Sequence, residues 1–379
     1  MIPILFPANY EVAGYYPAAT PVGRLSDALS CVVTEELNGV YELEMTYPAD
    51  GLYAAQLMQP CTLAVLRPYA DGTVYKRELA WFDVCSRTVE GGVMTVNACH
   101  ISYRLAGVVC ARVPATNTLS GAIGMISGNI LPSLYTRPWI EFRFVEEEIT
   151  LDSSTFSSAD VKSVREYLFD DNYSVRKIFG AEAAFHGTDI HLGPSRGEDR
   201  GAEIRYGKNL AGGTISRDET GVYNAIFPYW RGTVDGLAKS VLSDALVYPA
   251  TTMNPVRALA VDFSSYFQNE PSRAALKALA QEYLTENEPW LARETADITF
   301  DPDWQQGAAG GTVREVIDLG DTVSVFYGDA DLAGAKLRVV RIRYDVLLEY
   351  FSEFTLGQLE RGYAVTSRDG LSATRQIMA

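Results

Sequence analysis

The sequence runs to 379 residues, 47% hydrophobic and 21% charged, with a formal net charge of −16. That composition supports a large core spread over two or three domains and excludes global disorder. The acidic balance argues against a nucleic-acid binder built on a basic patch and against attraction to an anionic membrane, since both need clustered Lys and Arg.

The start, Met1-Ile2-Pro3-Ile4-Leu5-Phe6-Pro7, is apolar but short and carries no basic lead. It is not expected to be a signal peptide, and no run approaches the roughly 20 apolar residues of a spanning helix. The next clear pattern lies at residues 30–48. Tyr41, Leu43, Met45 and Tyr47 alternate with Val40, Glu42, Glu44 and Thr46, the period of a strand with one apolar face. Asn38-Gly39 predicts a tight turn with positive φ back to Cys31–Glu35, and Pro48 ends the second strand. Further strands are expected at Cys61–Arg67 and Tyr75–Val84 around Asp71-Gly72, and at Val93–Ala98 after Gly91-Gly92. Together they read as a small β-barrel or sandwich ending near Leu105.

From about 107 to 200 the texture changes to mixed α/β. Helices are expected over Leu119–Ile130, with Thr118 or Ser120 at its start, and over Ser158–Phe169, with Val161, Val164 and Leu168 on one face. Short strands fit Ile140–Val145 and Asp189–Leu192. Strand character returns at Ala202–Arg205 and Val222–Tyr229. Pro271–Asn287 reads as the clearest helix, its stripe of Leu276, Leu279, Ala280, Tyr283 and Leu284 expected to face a core. Strands close the pattern at Thr322–Tyr327, Lys336–Tyr344 and Glu353–Gly357, followed by an extended tail.

Little in the sequence speaks for catalysis. The five cysteines, Cys31, Cys61, Cys85, Cys99 and Cys110, lack any CxxC spacing and suit small buried residues of a reducing cytosol. Cys99-His100 with Cys110 could supply three metal ligands, but no metal or cofactor is expected there. Of the three histidines, His186 and His191 are not spaced like the paired ligands of a helical zinc site, and His100 reads as a hydrogen-bonded structural residue. No GxSxG elbow occurs, and Gly207-Lys208-Asn209 lacks the rest of a phosphate loop. The carboxylate run Glu146–Glu148 reads as a solvated strand edge rather than a glycosidase pair.

Several phrases are collinear with a known family: "GRLSDALSCVVTEELNGVYELEMTYPADG" (23–51), "NACHISYRL" (97–105), "RGEDRGAEIRYGKNLAGG" (196–213), "YNAIFPYW" (223–230), "ALAVDFSSYF" (258–267), "VIDLGDTVSVFY" (316–327) and "VVRIRYDVLLEYFSEFTLG" (339–357). Over about residues 1 to 360 the chain resembles the tail-tip, or baseplate, hub family of bacteriophages and prophages. The family also goes under prophage endopeptidase tail protein, tail-associated lysin and phage minor structural protein.

The resemblance implies a β-rich α+β fold with two tube-like β-barrel domains, an inserted α/β domain and a helical element, assembled as a hub-type trimer. The first barrel would span 1–106 and be completed by 201–232. The insertion would be 107–200, the second barrel 233–363 with helix 271–287, and the extended tail 364–379. The implied partners are two further copies, the distal tail protein, the tail tube and tape measure proteins, and a fibre or spike below. DNA would pass the lumen without specific binding, and no stable membrane insertion is implied. The chain would be made in a bacterial cytoplasm and reside in the tail of a virion or phage-like particle. Larger members continue into a peptidase, a muralytic domain or a fibre, whereas this sequence stops at Ala379, so no enzymatic activity is expected. The alternatives are a tail-associated cell-wall peptidase or lysin, tested through His191, and a host-surface glycan-binding module around Tyr135, Trp139 and Tyr173. The residues expected at a subunit interface are Tyr41, Glu42, Leu43 and Glu44 on the hairpin, whose edges would pair across subunits. Arg205, Tyr206 and Asn209, at the return into the barrel, complete that set.

Overall fold

The computed structural model describes residues 1–7, 12–13, 16–17, 20–131, 142–151, 155–170, 173–205, 210–218, 222–234, 236–249, 256–267, 269–287, 293–300, 316–326 and 335–357. The fold is β-rich. Its first strands are β1 (Ile4–Pro7), the small ribbon β2 (Val12–Ala13) and β3 (Tyr16–Pro17), β4 (Gly23–Arg24), β5 (Ser30–Glu36) and β6 (Tyr41–Pro48). A single turn of helix, α1 (Ala54–Leu57), leads to β7 (Cys61–Asp71), β8 (Val74–Glu90) and β9 (Val93–His100). The alternation read in residues 41–47 holds: Tyr41, Leu43, Met45 and Tyr47 are buried while Glu42 and Glu44 are exposed. The hairpin loop is four residues rather than two. Asn38 alone takes positive φ (59°), and the Gly39 amide donates to the Glu36 carbonyl at 3.0 Å. The β8–β9 turn is the tighter one, with Gly91 and Gly92 both at positive φ (58° and 82°).

The central segment holds short strands and helices around its own core. They are β10 (Val109–Cys110), β11 (Val113–Thr116), α2 (Leu119–Gly128), β12 (Arg143–Glu146), β13 (Phe156–Ser158), β14 (Lys162–Ser163), α3 (Val164–Phe169), α4 (Val175–Phe179), β15 (Glu182–His186) and β16 (Asp189–Gly193). Thr118 caps α2, its hydroxyl accepting from the Gly121 amide. The helix expected over 158–169 is shorter than the apolar spacing suggested. A capping box between Ser163 and Glu166 starts α3 at Val164, so Ser158 falls in a strand and Val161 is 68% exposed rather than on the packed face.

The chain then forms β17 (Asp199–Arg205), β18 (Leu210–Asp218), β19 (Ala225–Val234), β20 (Leu237–Leu242), β21 (Ala258–Asp262) and α5 (Arg273–Asn287). The last strands are β22 (Arg293–Phe300), β23 (Thr322–Phe326), β24 (Ala335–Asp345) and β25 (Tyr350–Gly357). The stripe on α5 is core as expected: Leu276, Ala280, Tyr283 and Leu284 are buried with Phe263 and Ile226 of the β20-β19-β21 sheet. Ser272 caps it, accepting from the Ala275 amide, so the helix begins at Arg273 rather than at Pro271.

Among the described residues the main sheet has 13 strands, in the order β18-β22-β25-β24-β5-β6-β9-β8-β7-β1-β4, with β23 on β24 and β17 on β23. It curls into a half-barrel around one core to which both ends of the chain contribute, from Leu5 to Leu356. β24 is the joint. Residues 341–345 pair with β5, residues 335–338 pair with β23, and its other edge carries β25. The returning strand β17 brings Ala202 and Ile204 into this core, but its ladder partner is β23, in parallel, and no strand of residues 1–106. The free edge of the first hairpin is already taken by β24, which leaves β17 no place there. A smaller apolar cluster of Phe6, Ala64, Trp81 and Ile101 covers the sheet's other face. No helix among the described residues is long and apolar enough to cross a membrane.

Candidate assembly surface and its buried charge network

The residues expected at an interface divide by face. Tyr41 and Leu43 are 2% and 1% exposed and belong to the core. The Tyr41 ring stacks on His100 with centroids 4.3 Å apart and meets Phe82 edge-on. Glu42 and Glu44 point outward. The expectation that the hairpin lends its edges to a neighbouring subunit is corrected here. β5 is paired with β24 along one side and β6 with β9 along the other, so both edges are satisfied within the chain. Sequence alternation fixes which face a strand buries but says nothing about who occupies its edges. Arg205 is half-buried on β17, bonded to Glu203 at 2.9 Å and lying 3.6 Å over the Phe326 ring. Tyr206 and Asn209 lie outside the described residues.

Beneath the hairpin is a cluster the sequence reading did not anticipate. Glu35 occupies an inward position of β5, in line with Cys31 and Val33, and is 1% exposed. Arg67, fully buried on β7, approaches it at 2.5 Å, Asp318 at 3.4 Å and Glu78 at 4.0 Å. Arg196 donates to Glu35 at 2.7 Å. Burial alone would raise the Glu35 pKa; the charges of Arg196 and Arg67 outweigh it and hold the carboxyl below its ordinary range. Burial works against the Arg67 charge, and Glu35 beside it more than restores it. Isolated charges at such depth would cost several kcal/mol each, so the pairing is obligatory. The readable signal was a glutamate in register with apolar inward residues.

The network extends outward through a second group of carboxylates. Arg338 bonds both oxygens of Glu182 at 2.8 and 2.9 Å and the Gly320 carbonyl at 2.9 Å. Asp321 accepts from the Glu198 amide at 2.7 Å and from Arg200 at 3.0 Å; burial pushes its pKa up. Asp318 accepts from the Ala70 amide at 2.9 Å. Gly197 and Gly320, at φ of 81° and 89°, bring two backbones into contact, and a Cβ on Gly197 would lie 2.2 Å from the Gly320 carbonyl carbon. Three distant stretches, residues 35–78, 182–200 and 318–338, therefore meet at one ionic node.

His100 meets a serine hydroxyl, but both residues are buried and closed to a substrate. His100 Nδ1 bonds the Ser102 hydroxyl at 3.1 Å; burial, with the charges of Arg67, Arg165 and Arg104, lowers its pKa to about 3. His186 sits 3.2 Å from Glu78 and edge-on to His191, whose pKa burial also lowers. Cys99, His100 and Cys110 do not converge: Cys99 lies against Cys85, and Cys110 is buried in the central core. No group of three His, Cys, Asp or Glu side chains suited to a metal ion occurs among the described residues. Tyr173 stacks on Phe156 and bonds Ser157, while Tyr135 and Trp139 lie outside the described residues.

No protein-family model matches the chain, and no curated protein matches it. Solved structures do. Prophage tail protein gp18 from Listeria monocytogenes EGD-e aligns over 100% of this chain and 99% of its own, with a TM-score of 0.55 at 12% identity. The 43 kDa tail protein of prophage MuSo2 from Shewanella oneidensis aligns over 95% of this chain and 99% of its own, with a TM-score of 0.51 at 9% identity. The chain shares the fold of these prophage tail proteins.

Proposed function

We propose that the chain is a structural component of a phage or phage-like tail, a hub at the distal end of the tail tube. The observation that supports this best is the likeness of fold over the full length of a prophage tail protein. In this reading three copies form the hub and each contributes two tube-like barrel units, adapting a six-fold tube to a three-fold tip. The units expected over 1–106 with 201–232 and over 233–363 would be fused through one sheet, joined where β24 lies on β5. The hub nucleates tail assembly against the distal tail, tube and tape measure proteins and resides in the virion tail or an equivalent injection particle.

The role is structural rather than enzymatic. The buried ionic node supports that reading, because it spends its charged groups on locking distant segments together and exposes none of them as a reacting centre. With the hairpin edges occupied, this region would meet another copy through outward-pointing side chains, of which Glu42, Glu44 and Arg205 are the first candidates.

The mass of the purified 41.6 kDa chain in solution tests the reading. Light scattering on a size-exclusion column is expected to give a trimer, alone or on adding tube or distal tail protein. A chain that stays monomeric with those partners and clears a cell-wall suspension would overturn it.

A further inference from the structure

Five cysteines are present, and Cys31, Cys61 and Cys110 are buried. Cys85 and Cys99 differ. They lie on the neighbouring antiparallel strands β8 and β9, Cys85 exposed and Cys99 half-buried, with their sulfurs 3.1 Å apart. The ladder is irregular at this point. Val84 pairs with Ala98 and Ser86 with Asn97, so Cys85 is the extra residue of a bulge. The bulge turns Cys85 toward Cys99, two positions on from Asn97. The Cys85 thiol also donates to the Asn97 carbonyl at 3.2 Å, and the Cys99 thiol donates to Cys85. A disulfide needs sulfurs about 2.05 Å apart. The gap left to close is about 1 Å.

We propose that Cys85 and Cys99 form a built-in redox modification site, which a small-molecule disulfide converts into a cross-strand disulfide. Cys85 is the entry point because it is exposed. Burial first, and then its neighbour Cys85, push the Cys99 thiol up to about 12. The exposed Cys85, its proton passing to solvent, attacks one sulfur of the small disulfide, and the released small thiolate is protonated. Cys99 then attacks Cys85 Sγ, its proton passing to water as the second small thiol leaves. Two protein thiols and one small disulfide become one protein disulfide and two small thiols. The site stays reduced in a cytosol and closes once the protein meets an oxidising exterior. The bridge closes a loop whose ends are 14 residues apart, around the Gly91-Gly92 turn.

Oxidised glutathione tests this on the full chain. After incubation, denaturation and thiol counting, the wild type is expected to lose two thiols and only two hydrogens of mass. Peptide mapping should join Cys85 to Cys99. C99S should instead stop at a stable glutathione adduct on Cys85, and C85S should remain largely unmodified. A wild type that ends as the Cys85 adduct with Cys99 free, or that keeps all its thiols while its circular dichroism shows an intact fold, would overturn the proposal. So would a bridge involving Cys31, Cys61 or Cys110. None of these outcomes bears on the assembly state, so this proposal and the hub reading fail separately.

Discussion

His100 lies in a pocket between the Tyr41 ring, Phe82 and Phe185, with its Nδ1 on Ser102. Its ordinary pKa of 6.5 falls to about 3 in the folded chain because burial disfavours the charged ring. Between those two values the unfolded chain holds a proton that the folded chain does not. Stability from this residue is therefore complete above pH 6.5 and is lost progressively as the pH falls toward 3. At about 1.4 kcal/mol per pKa unit the loss is on the order of 5 kcal/mol. Urea midpoints followed over that range should fall less steeply for H100Q than for the wild type; parallel curves would refute the assignment. The sequence already pointed to a structural role for this residue, since it follows a strand and precedes a serine two positions on. The ionic node was not legible in the same way. Glu35 and Arg67 each sit plainly in a strand, but their pairing depends on a ladder fold that joins residues 251 positions apart, as between Arg67 and Asp318.

At the level of elements, local chemistry was readable wherever the cause was local. Alternation gave the strand at 41–48, and Thr118 gave the start of α2. The helix at 158–169 was overextended because Val161 matches the apolar spacing, while the Ser163–Glu166 capping box decides where the helix begins. The contact between Gly197 and Gly320 had no local signal, since each glycine makes sense only opposite the other. It yields a graded prediction. Gly72 takes φ of 61° in a hairpin turn with nothing within 4 Å of a new Cβ, so G72A should cost only the left-handed penalty of about 1–2 kcal/mol. In G320A a Cβ would lie 2.3 Å from the Arg196 carbonyl oxygen, so backbone must move as well. Denaturant unfolding should find G320A the more destabilised of the two by a clear margin. Equal losses would mean that the junction yields freely.

For the molecule as a whole, the β-rich character was legible and the sheet order was not. Composition and turn signals gave a β-rich chain, but which strands neighbour one another is set by long-range pairing that periodicity does not encode. Hence the hairpin edges, open in the sequence reading, are closed in the structure. The charge balance makes a prediction at this scale. With a net charge of −16, the protein should leave double-stranded DNA unshifted in a gel even at about 50 mM salt. Retention of DNA there would point to a basic surface hidden by the overall sum and would count against a lumen that lets DNA slide. The long strand β24 has a consequence for how the protein comes into being. It supplies the neighbour of β5 and part of the wall around the first core, yet it lies near the end of the described chain. While the polypeptide is still on the ribosome, the first hairpin has no partner along that side until residues 335–345 have emerged. The nascent amino-terminal meander must wait with an unsealed flank, and the half-barrel closes only once those residues are free to pair.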